Sequence, residues 1–395
     1  MANTAKHEWP MVPLSELVKF QSGGTPATKN LEFYGGDIPW ITSADISEDH
    51  AVKPQKFVTE AAIANSAACI AESGSILLVT RIGVGKCAIV DRPLSYSQDI
   101  TNLVDLSDGC DARYLIHFLQ SSRRFFESRS RGVTIKGIKR SDLIDLLVPL
   151  PPIDEQRRIA TILGQVEELV RAQNAQITHI DSLLQQAIES MLVGREVSRE
   201  LGQIAEIQSG ITKGRKVTVG ADLGLVPYLA VSNVKDGYLD MDSVKQILAT
   251  ELEISRYRLE PGDVVLTEGG DPDKLGRGTV WNNELPLCIH QNHIFRVRIR
   301  KDATNLTPSV LAAILQTTAL KKYFVKSAKQ TTGIASINKT QLSKAPIPVL
   351  SEEQVARVAQ VLETISAERK RAENSLAQLI KLSDSLFTRA FQGEL

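Results

Sequence analysis

The sequence predicts an α+β protein: two mixed α/β domains separated by two long antiparallel coiled-coil helices, with an internal pseudo-two-fold duplication. Three observations carry this. The stretch Pro149 to Gly194 returns in related form as Pro348 to Gly393, at the end of the 395-residue chain. Both copies keep an apolar seam at alternating steps of four and three. The segments that precede the two copies share framework pieces in the same order.

In the first copy the seam is Ile159, Leu163, Val166, Val170, Gln173, Ile177, Ile180, Leu184, Ala187 and Met191. Shifted by 199 positions it becomes Val358, Leu362, Ile365, Arg369, Ala372, Leu376, Leu379, Ser383, Leu386 and Ala390. A seam this narrow, held over more than four heptads, belongs to a coiled coil and not to the broader face of a helix on a globular core. A helix from Pro152 to Val193 would be about 60 Å long at about 1.5 Å per residue. Such a rod cannot bury its seam alone. The other copy, of matched length and ending on Gly393 where the first ends on Gly194, is the partner expected for it. Antiparallel pairing would place the segment between the copies at one end of the pair, and the segment before the first copy at the other.

In chain order, residues 1–11 form a tail and 12–150 a first domain. Residues 151–194 form the first long helix, 199–349 a second domain and 350–393 the second long helix. Turn-rich punctuation in the first domain, Ser22-Gly23-Gly24-Thr25-Pro26 and Tyr34-Gly35-Gly36-Asp37, separates short apolar runs. Ile38 to Ile41, Ser75 to Thr80 and Cys87 to Val90 read as strands. Arg113 to Arg129 reads as one helix with Leu115, Ile116, Leu119 and Phe126 as its apolar stripe. The second domain repeats this order. Gln21-Ser22-Gly23 returns as Gln208-Ser209-Gly210, and Ile38 to Ile46 as Val226 to Val234. Gly74-Ser75-Ile76-Leu77-Leu78 returns as Gly262-Asp263-Val264-Val265-Leu266, and Ser97-Gln98-Asp99 as His290-Gln291-Asn292. The framework is shared while the loops differ, and loops on a shared scaffold are where binding specificity is placed.

Lys plus Arg equal Asp plus Glu at 46 each, so no global basic field announces a nucleic-acid partner and the distribution of charge decides instead. Cys69, Cys87, Cys110 and Cys288 are too scattered for a zinc ribbon or a redox pair and are expected as reduced thiols. A polar N-terminus and the lack of any apolar run near 20 residues predict a cytoplasmic protein without a membrane span. Charge is concentrated twice. Arg113, Arg123, Arg124, Arg129, Arg131, Lys136, Lys139 and Arg140 face one acid, Glu127. The equivalent stretch of the second copy holds Lys321, Lys322, Lys326, Lys329, Lys339 and Lys344 with no acid. Gly132 and Gly333 follow the two predicted basic helices. A single run of this kind reads as a solvated helix face; its recurrence at one place in both copies points to an anionic partner. Phosphate contacts would supply salt-dependent affinity there.

Catalytic constellations are missing from the sequence. Gly83-Val84-Gly85-Lys86-Cys87 resembles a phosphate loop only in part, since Thr80 and Cys87 stand where glycine and a magnesium-binding hydroxyl are needed. His290 and His293 are three apart without an acidic or cysteine ligand nearby in sequence, which predicts no metal site. Asp271-Pro272-Asp273 reads as a turn. The chain reads as a binder that directs chemistry done elsewhere.

The residues resemble the specificity subunit of type I restriction-modification systems over nearly the whole chain. Gln21 to Pro26 followed by Gly36 to Ile46 is similar to the opening of that family's target recognition domains. Gly210 to Lys216 with Pro227 to Leu239 looks like another variant of it. Pro149 to Ile159 resembles the start of the family's central helix; Leu350-Ser351-Glu352-Glu353-Gln354 departs from it by lacking the double proline. The resemblance implies two target recognition domains that each read half of a bipartite, asymmetric double-stranded DNA site, with the helices as spacer. It implies two methyltransferase subunits as partners, joined by restriction subunits. S-adenosylmethionine would then bind the methyltransferase, and ATP with magnesium the restriction subunit; no cofactor is expected on this chain.

On that reading Arg123, Arg124, Arg129, Arg131, Lys136, Lys139, Arg140, Lys321, Lys322, Lys326, Lys329 and Lys339 are expected at phosphates. Thr42, Ser43, Arg81 and Gln98 of the first domain, and Ser232, Asn233, Arg277 and Gln291 of the second, are expected at base edges, where amide and guanidinium groups make bidentate contacts. The same Ser, Thr and Asn positions would otherwise serve as turn and cap residues. The rival class is a duplicated adaptor that binds acidic protein surfaces through the basic stretches. A nuclease or methyltransferase acting alone is disfavoured by the missing motifs.

Overall fold

The computed structural model describes residues 9–47, 50–130, 137–216, 222–271, 274–301, 303–331 and 334–395. Most of the expected tail, and Arg131, Gly132, Lys136, Pro272, Asp273 and Gly333, lie outside the described residues. The chain divides into two compact units, Met1–Ala175 with Glu373–Leu395, and Gln176–Ala372.

In the first unit the order is β1 (Met11–Pro13), α1 (Leu14–Leu17), β2 (Lys19–Ser22), β3 (Tyr34–Ile41), β4 (Lys56–Val58), α2 (Glu60–Ala64), β5 (Ile70–Ala71), β6 (Ile76–Val79) and β7 (Cys87–Ile89). It continues with β8 (Leu94–Tyr96), β9 (Ile100–Val104), α3 (Ala112–Ser121), α4 (Arg123–Arg129), α5 (Arg140–Ile144) and β10 (Leu147–Pro149), followed by the long helix α6 (Ile153–Leu192). β1 pairs antiparallel with β10 and clasps the two ends of the domain. Two four-stranded sheets lie between, ordered β2-β9-β6-β7 and β4-β3-β8-β5, the second containing one parallel pair, β3 with β8. β6 explains why they pack. All four residues of Ile76-Leu77-Leu78-Val79 are buried, and the two-residue period sends Ile76 and Leu78 to one core with α3, and Leu77 and Val79 to the other with Ile41 and Tyr96.

The second unit repeats this topology. Its order is β11 (Val197–Glu200), α7 (Leu201–Ile204), β12 (Ala205–Ser209), β13 (Gly224–Leu229), β14 (Lys245–Ala249), α8 (Glu251–Tyr257), β15 (Val264–Thr267), β16 (Gly269–Gly270), β17 (Gly278–Val280), β18 (Ile289–His290) and β19 (Ile294–Ile299). Then come α9 (Pro308–Leu315), α10 (Thr318–Ser327), β20 (Lys329–Thr331), β21 (Ile334–Ser336), α11 (Lys339–Ser343), β22 (Pro346–Pro348) and the second long helix, α12 (Glu352–Ala390). β11 pairs with β22 as β1 does with β10. The sheet β12-β19-β15-β17 matches β2-β9-β6-β7, and β14-β13-β18 matches β4-β3-β8 down to its parallel pair.

Two local expectations are corrected. The helix expected over Arg113 to Arg129 is two, α3 and α4, broken at Ser122 (φ −82°, ψ 6°). The hydroxyls of Ser121 and Ser122 both donate to the carbonyl of Phe118, at 2.7 and 2.9 Å, and compete with the helical ladder there. Tyr34-Gly35-Gly36-Asp37 is not a separator between runs but part of β3, where Gly35 (φ +83°) sits in a register shift against Val58.

The long helices follow the heptad pattern. Every one of the twenty seam positions is buried or half-buried, Gln173, Arg369 and Ser383 included. In the first unit Ile159, Ala160 and Leu163, near the start of α6, share a core with Leu386, Phe387 and Ala390, at the end of α12. In the second unit Leu184, Ile188 and Met191 meet Val355, Val358 and Leu362. Start against end in both cases means antiparallel. Gly194 and Gly393 leave the helices in the left-handed region, at φ +71° and +72°.

The two helices begin differently. Gln156, in the first turn and a half of α6, is fully buried; its Nε2 donates to the carbonyls of Gly109 (2.9 Å) and Pro151 (2.8 Å), and its Oε1 accepts from the amide of Asp111 (2.8 Å). Four helix positions on from the start of α12 the same place is taken by buried Val355, and a reciprocal bond between Ser351 and Gln354 caps the helix in place of the double proline. Gln156→Ala should therefore destabilise the first unit by about 2 kcal/mol, since it removes the partner of three backbone groups, of which the carbonyl of Pro151 is bonded in a buried place. Urea unfolding followed by amide exchange in α3 measures this, and Gln354→Ala should cost well under half as much.

Candidate nucleic-acid interface

The strand ends of the first domain converge through the backbone. The amide of Gly24 bonds Tyr96 O (3.0 Å), Ser97 N bonds Ile41 O (2.8 Å), Thr80 N bonds Asp99 O (2.8 Å) and Ile138 N bonds Thr80 O (3.0 Å). These bonds bring the ends of β2, β3, β6 and β8 together with the turn before α5. Thr42, Arg81, Gln98 and Lys139 sit on this edge, the last three exposed and Thr42 half-buried. In the second domain the same frame recurs. Ile211 N bonds His290 O (2.8 Å), Gln291 N bonds Leu229 O (3.0 Å), Glu268 N bonds His293 O (2.9 Å) and Ile337 N bonds Glu268 O (3.0 Å).

The frame explains the recurrent Gln-Ser-Gly. A Cβ at Gly23 would lie 2.4 Å from Tyr96 O, and one at Gly210 would lie 1.8 Å from the corresponding carbonyl, His290 O. Only glycine lets the end of β2 or β12 pass over that carbonyl. Sequence reasoning found the motif but not this reason for it. Tyr96 pairs with Ile41 as His290 does with Leu229, so Ser97 matches Gln291, one position on from the His290 expected from the sequence.

Not every expected base reader lies open. Thr42 and Asp45 form a capping box, Asp45 Oδ2 accepting from Thr42 N at 2.8 Å. Asn233 does the same for Ala230 N at 2.8 Å and spends its Nδ2 on Asp240 O and Ser243 Oγ. Asn233 is thus the counterpart of Asp45 and is fully buried, while Ser43 is 5% exposed; neither offers a free edge. Ser232 is exposed and Gln291 half-buried. Arg277 does not match Arg81: it lies in the β15–β17 connection, whereas Gly269 holds the Arg81 place. Its Nε is buried without a partner among the described residues.

Of the described basic residues, Arg123, Arg124 and Arg129 are exposed on α4, and Lys139 and Arg140 at the start of α5. Arg123 pairs with Glu127, and Arg129 lies over the Phe125 ring at 5.3 Å, 4.0 Å from Asp142. Arg140 donates to Phe20 O at 3.0 Å. Lys322, Lys326, Lys329 and Lys339 are exposed in the second unit, and Lys321 pairs with Asp236 at 3.3 Å. Exposed ion pairs of this kind contribute little to stability.

The phosphate-loop-like segment, the cysteines and the two histidines have local surroundings of other kinds. Gly83 and Gly85 (φ +87° and +93°) shape the β6–β7 hairpin, and Lys86 donates to Ile46 O. All four cysteines are free, and burial pushes Cys110 and Cys288 to about 12. No group of three or more metal-ligating side chains occurs among the described residues. His293 does have an acidic neighbour that spacing did not show: its Nδ1 is 2.9 Å from Glu268 Oε2. His290 is buried against the carbonyls of Tyr257 and Gln208, and burial lowers its imidazole to about 4. The unfolded chain, near the ordinary value of about 6.5, takes up this proton first. Stability of the second domain should be full above about pH 6.5 and fall as the pH drops toward 4, a slope that amide exchange in β19 would show and that His290→Gln should flatten.

Residues 6–179 match the family model described as type I restriction modification DNA specificity domain. The MjaIX specificity subunit of Methanocaldococcus jannaschii is 23% identical over 98% of this chain and 94% of its own length. The EcoKI specificity subunit of Escherichia coli K12 is 25% identical over 71% of this chain and 65% of its own. Two solved structures share the fold. One, described under complex assembly and conformational transition of the type I R-M system, has a TM-score of 0.61 at 19% identity and full coverage of both chains. The other, the S subunit from M. genitalium, has a TM-score of 0.53 at 15% identity, covering 99% and 98%. Duplicated domains and two long helices are the fold that these structures share with the chain. Residues 6–179 thus carry the DNA specificity domain of type I restriction-modification systems, and over 98% of its length the chain is similar to a specificity (S) subunit of such a system.

Proposed function

We propose that each domain reads one half of a bipartite, asymmetric DNA site and that α6 and α12 set the gap between the halves. The observation that carries this is one backbone frame of converging strand ends, built twice and dressed with different side chains. Arg81, Gln98 and Thr42 are the readers of the first half-site, and Ser232 and Gln291 those of the second. Arg123, Arg124, Arg129, Lys139 and Arg140, and Lys321, Lys322, Lys326, Lys329 and Lys339, hold phosphates, fixing register without reading sequence. Two methyltransferase subunits dock on the duplicated framework, and restriction subunits join them. S-adenosylmethionine binds the methyltransferase, and ATP with magnesium the restriction subunit.

The direct test maps methylated bases in cells that carry the native methyltransferase, with and without this chain. Loss of methylation at one split motif supports the reading. Unchanged methylation by an active methyltransferase would sink it in favour of an adaptor that binds acidic proteins.

Two variants refine it. Arg123→Ala with Arg124→Ala should weaken binding to all sequences alike and reduce the slope of log affinity against log salt by about 2; a loss confined to one sequence would make these residues base readers. Adding a heptad to both helices, after Gln173 and after Ala372, lengthens each by about 10 Å, close to three steps of about 3.4 Å. The gap in the methylated motif should grow by about three base pairs, and an unchanged gap would rule the spacer out.

A further inference from the structure

The tip of the β6–β7 hairpin carries an isoleucine in a backbone conformation that isoleucine avoids. Ile82 stands at φ +52°. In the left-handed region the Cβ of an L-residue crowds the following carbonyl oxygen and branching adds to it, so glycine is the usual occupant and Asn, Asp and His the usual exceptions. The other non-glycine residues at positive φ among the described residues are His50, Asp105 and Asn283, all of the tolerant types. Ile82 alone is not. Nothing inside the fold compensates it: the side chain is 54% exposed and lies in no apolar cluster of the first unit.

The hairpin fixes that side chain from both sides. Before it, Arg81 N donates to Asp99 O at 3.2 Å, and Arg81 pairs with Gly137 in an antiparallel bridge. After it, Val84 is buried in the core that contains Phe126, and Gly85 N donates to Val79 O at 3.0 Å. Lys86 reaches across to Ile46 O at 3.2 Å. A Cβ at Gly85 would lie 3.2 Å from the Phe126 ring and 3.6 Å from Arg123 Cγ, so the hairpin packs against α4. The tip therefore lies between Arg81 on the reading edge and the arginines of α4. Residues held in a strained conformation by anchors of this kind collect at functional sites. The second unit differs here. Counted along the matching strands β6 and β15, Arg81 corresponds to Gly269 and Ile82 to Gly270 (φ +155°). Where the second copy has the residue that positive φ favours, the first keeps a branched aliphatic one.

We infer that Ile82 is a specificity-determining residue of the first half-site and that it reads a thymine through its C5 methyl group in the major groove. The inference rests on the DNA-reading role proposed above. A side chain with neither donor nor acceptor can read only an apolar feature of a base edge, and the major groove offers one, the thymine methyl. Arg81, its neighbour on the same anchored tip, needs that groove to meet guanine O6 and N7 with both ends of its guanidinium. Two adjacent side chains on one anchored tip enter one groove, so the groove that suits Arg81 is the one open to Ile82. Glycine at this position would relax the backbone and present nothing to the base. The chain gives up backbone ease for a contact that only DNA completes.

The test uses the full chain assembled with its native methyltransferase, on the motif mapped from methylated bases. Each thymine of the motif is replaced in turn by uracil, which removes the C5 methyl and leaves the hydrogen-bonding edge unchanged, and affinity is measured for the wild type and for Ile82→Gly. At one thymine, in one half-site only, uracil should weaken wild-type binding by about four-fold, the value of one methyl group taken out of water. Ile82→Gly should abolish that sensitivity and bind no better than the wild type binds the uracil DNA. In the free chain Ile82→Gly should raise the urea midpoint of the first unit, because it removes the strain. The inference is overturned if no thymine loses its sensitivity in Ile82→Gly, or if the midpoint fails to rise, since the fold would then account for the residue. Weaker binding of Ile82→Gly to every sequence alike, with no sensitive thymine, would make the side chain a wedge between bases and overturn the methyl contact. Methylation that does not depend on the chain removes the DNA-reading role itself, whereas a dependent motif with no sensitive thymine removes the Ile82 contact alone.

Discussion

The fold depends on an apolar seam that neither long helix can bury by itself. Twenty positions at steps of four and three are covered along α6 and α12. Between and around them lie Arg157, Thr161, Glu168 and their like, exposed and charged or polar. Because each helix end also enters a domain core, the seam is continuous with the globular packing: Leu163 lies in the same cluster as Leu115, and Val358 in the same cluster as Leu311. Separation of the helix pair would therefore open both cores at once, so the helices are part of each domain and not only a link between them.

Duplication gives the chain one frame and two chemistries. The backbone bonds at the strand ends are the same in both domains, while the side chains on them differ. The interiors have diverged as well. The second unit buries Asp263 and Arg296 beside Arg298, with Asp263 bound to Arg298 at 2.7 Å. The first has Ser75 and Asn102 in the corresponding places. A buried pair of this kind is costly to break by removing one partner and adds little net stability as a whole, so it marks divergence of the interior without demanding a separate function.

Much of this was legible in the sequence because it is periodic or repeated. The seam, the helix ends at Gly194 and Gly393, the strands around Ile76 and Cys87, and the correspondence of Gln21-Ser22-Gly23 with Gln208-Ser209-Gly210 are all patterns along the chain. What escaped depends on contacts across it. The break at Ser122 is a contest between two hydroxyls and one carbonyl. Asn233 looked like a reader because a capping amide and a reading amide are the same residue type, and only burial separates them.

The clasp of β1 with β10, repeated as β11 with β22, brings the entry and exit of each domain side by side. A segment whose two ends are neighbours behaves as a cassette. Its interior can lengthen, shorten or be exchanged whole while the junction it presents to the helices keeps one geometry. The offset between the repeats drifts from 187 to 199 residues along the domain, yet both close on the same two-stranded junction. New specificities can thus arise by replacement of what lies inside the clasp, with no change in the scaffold that carries it.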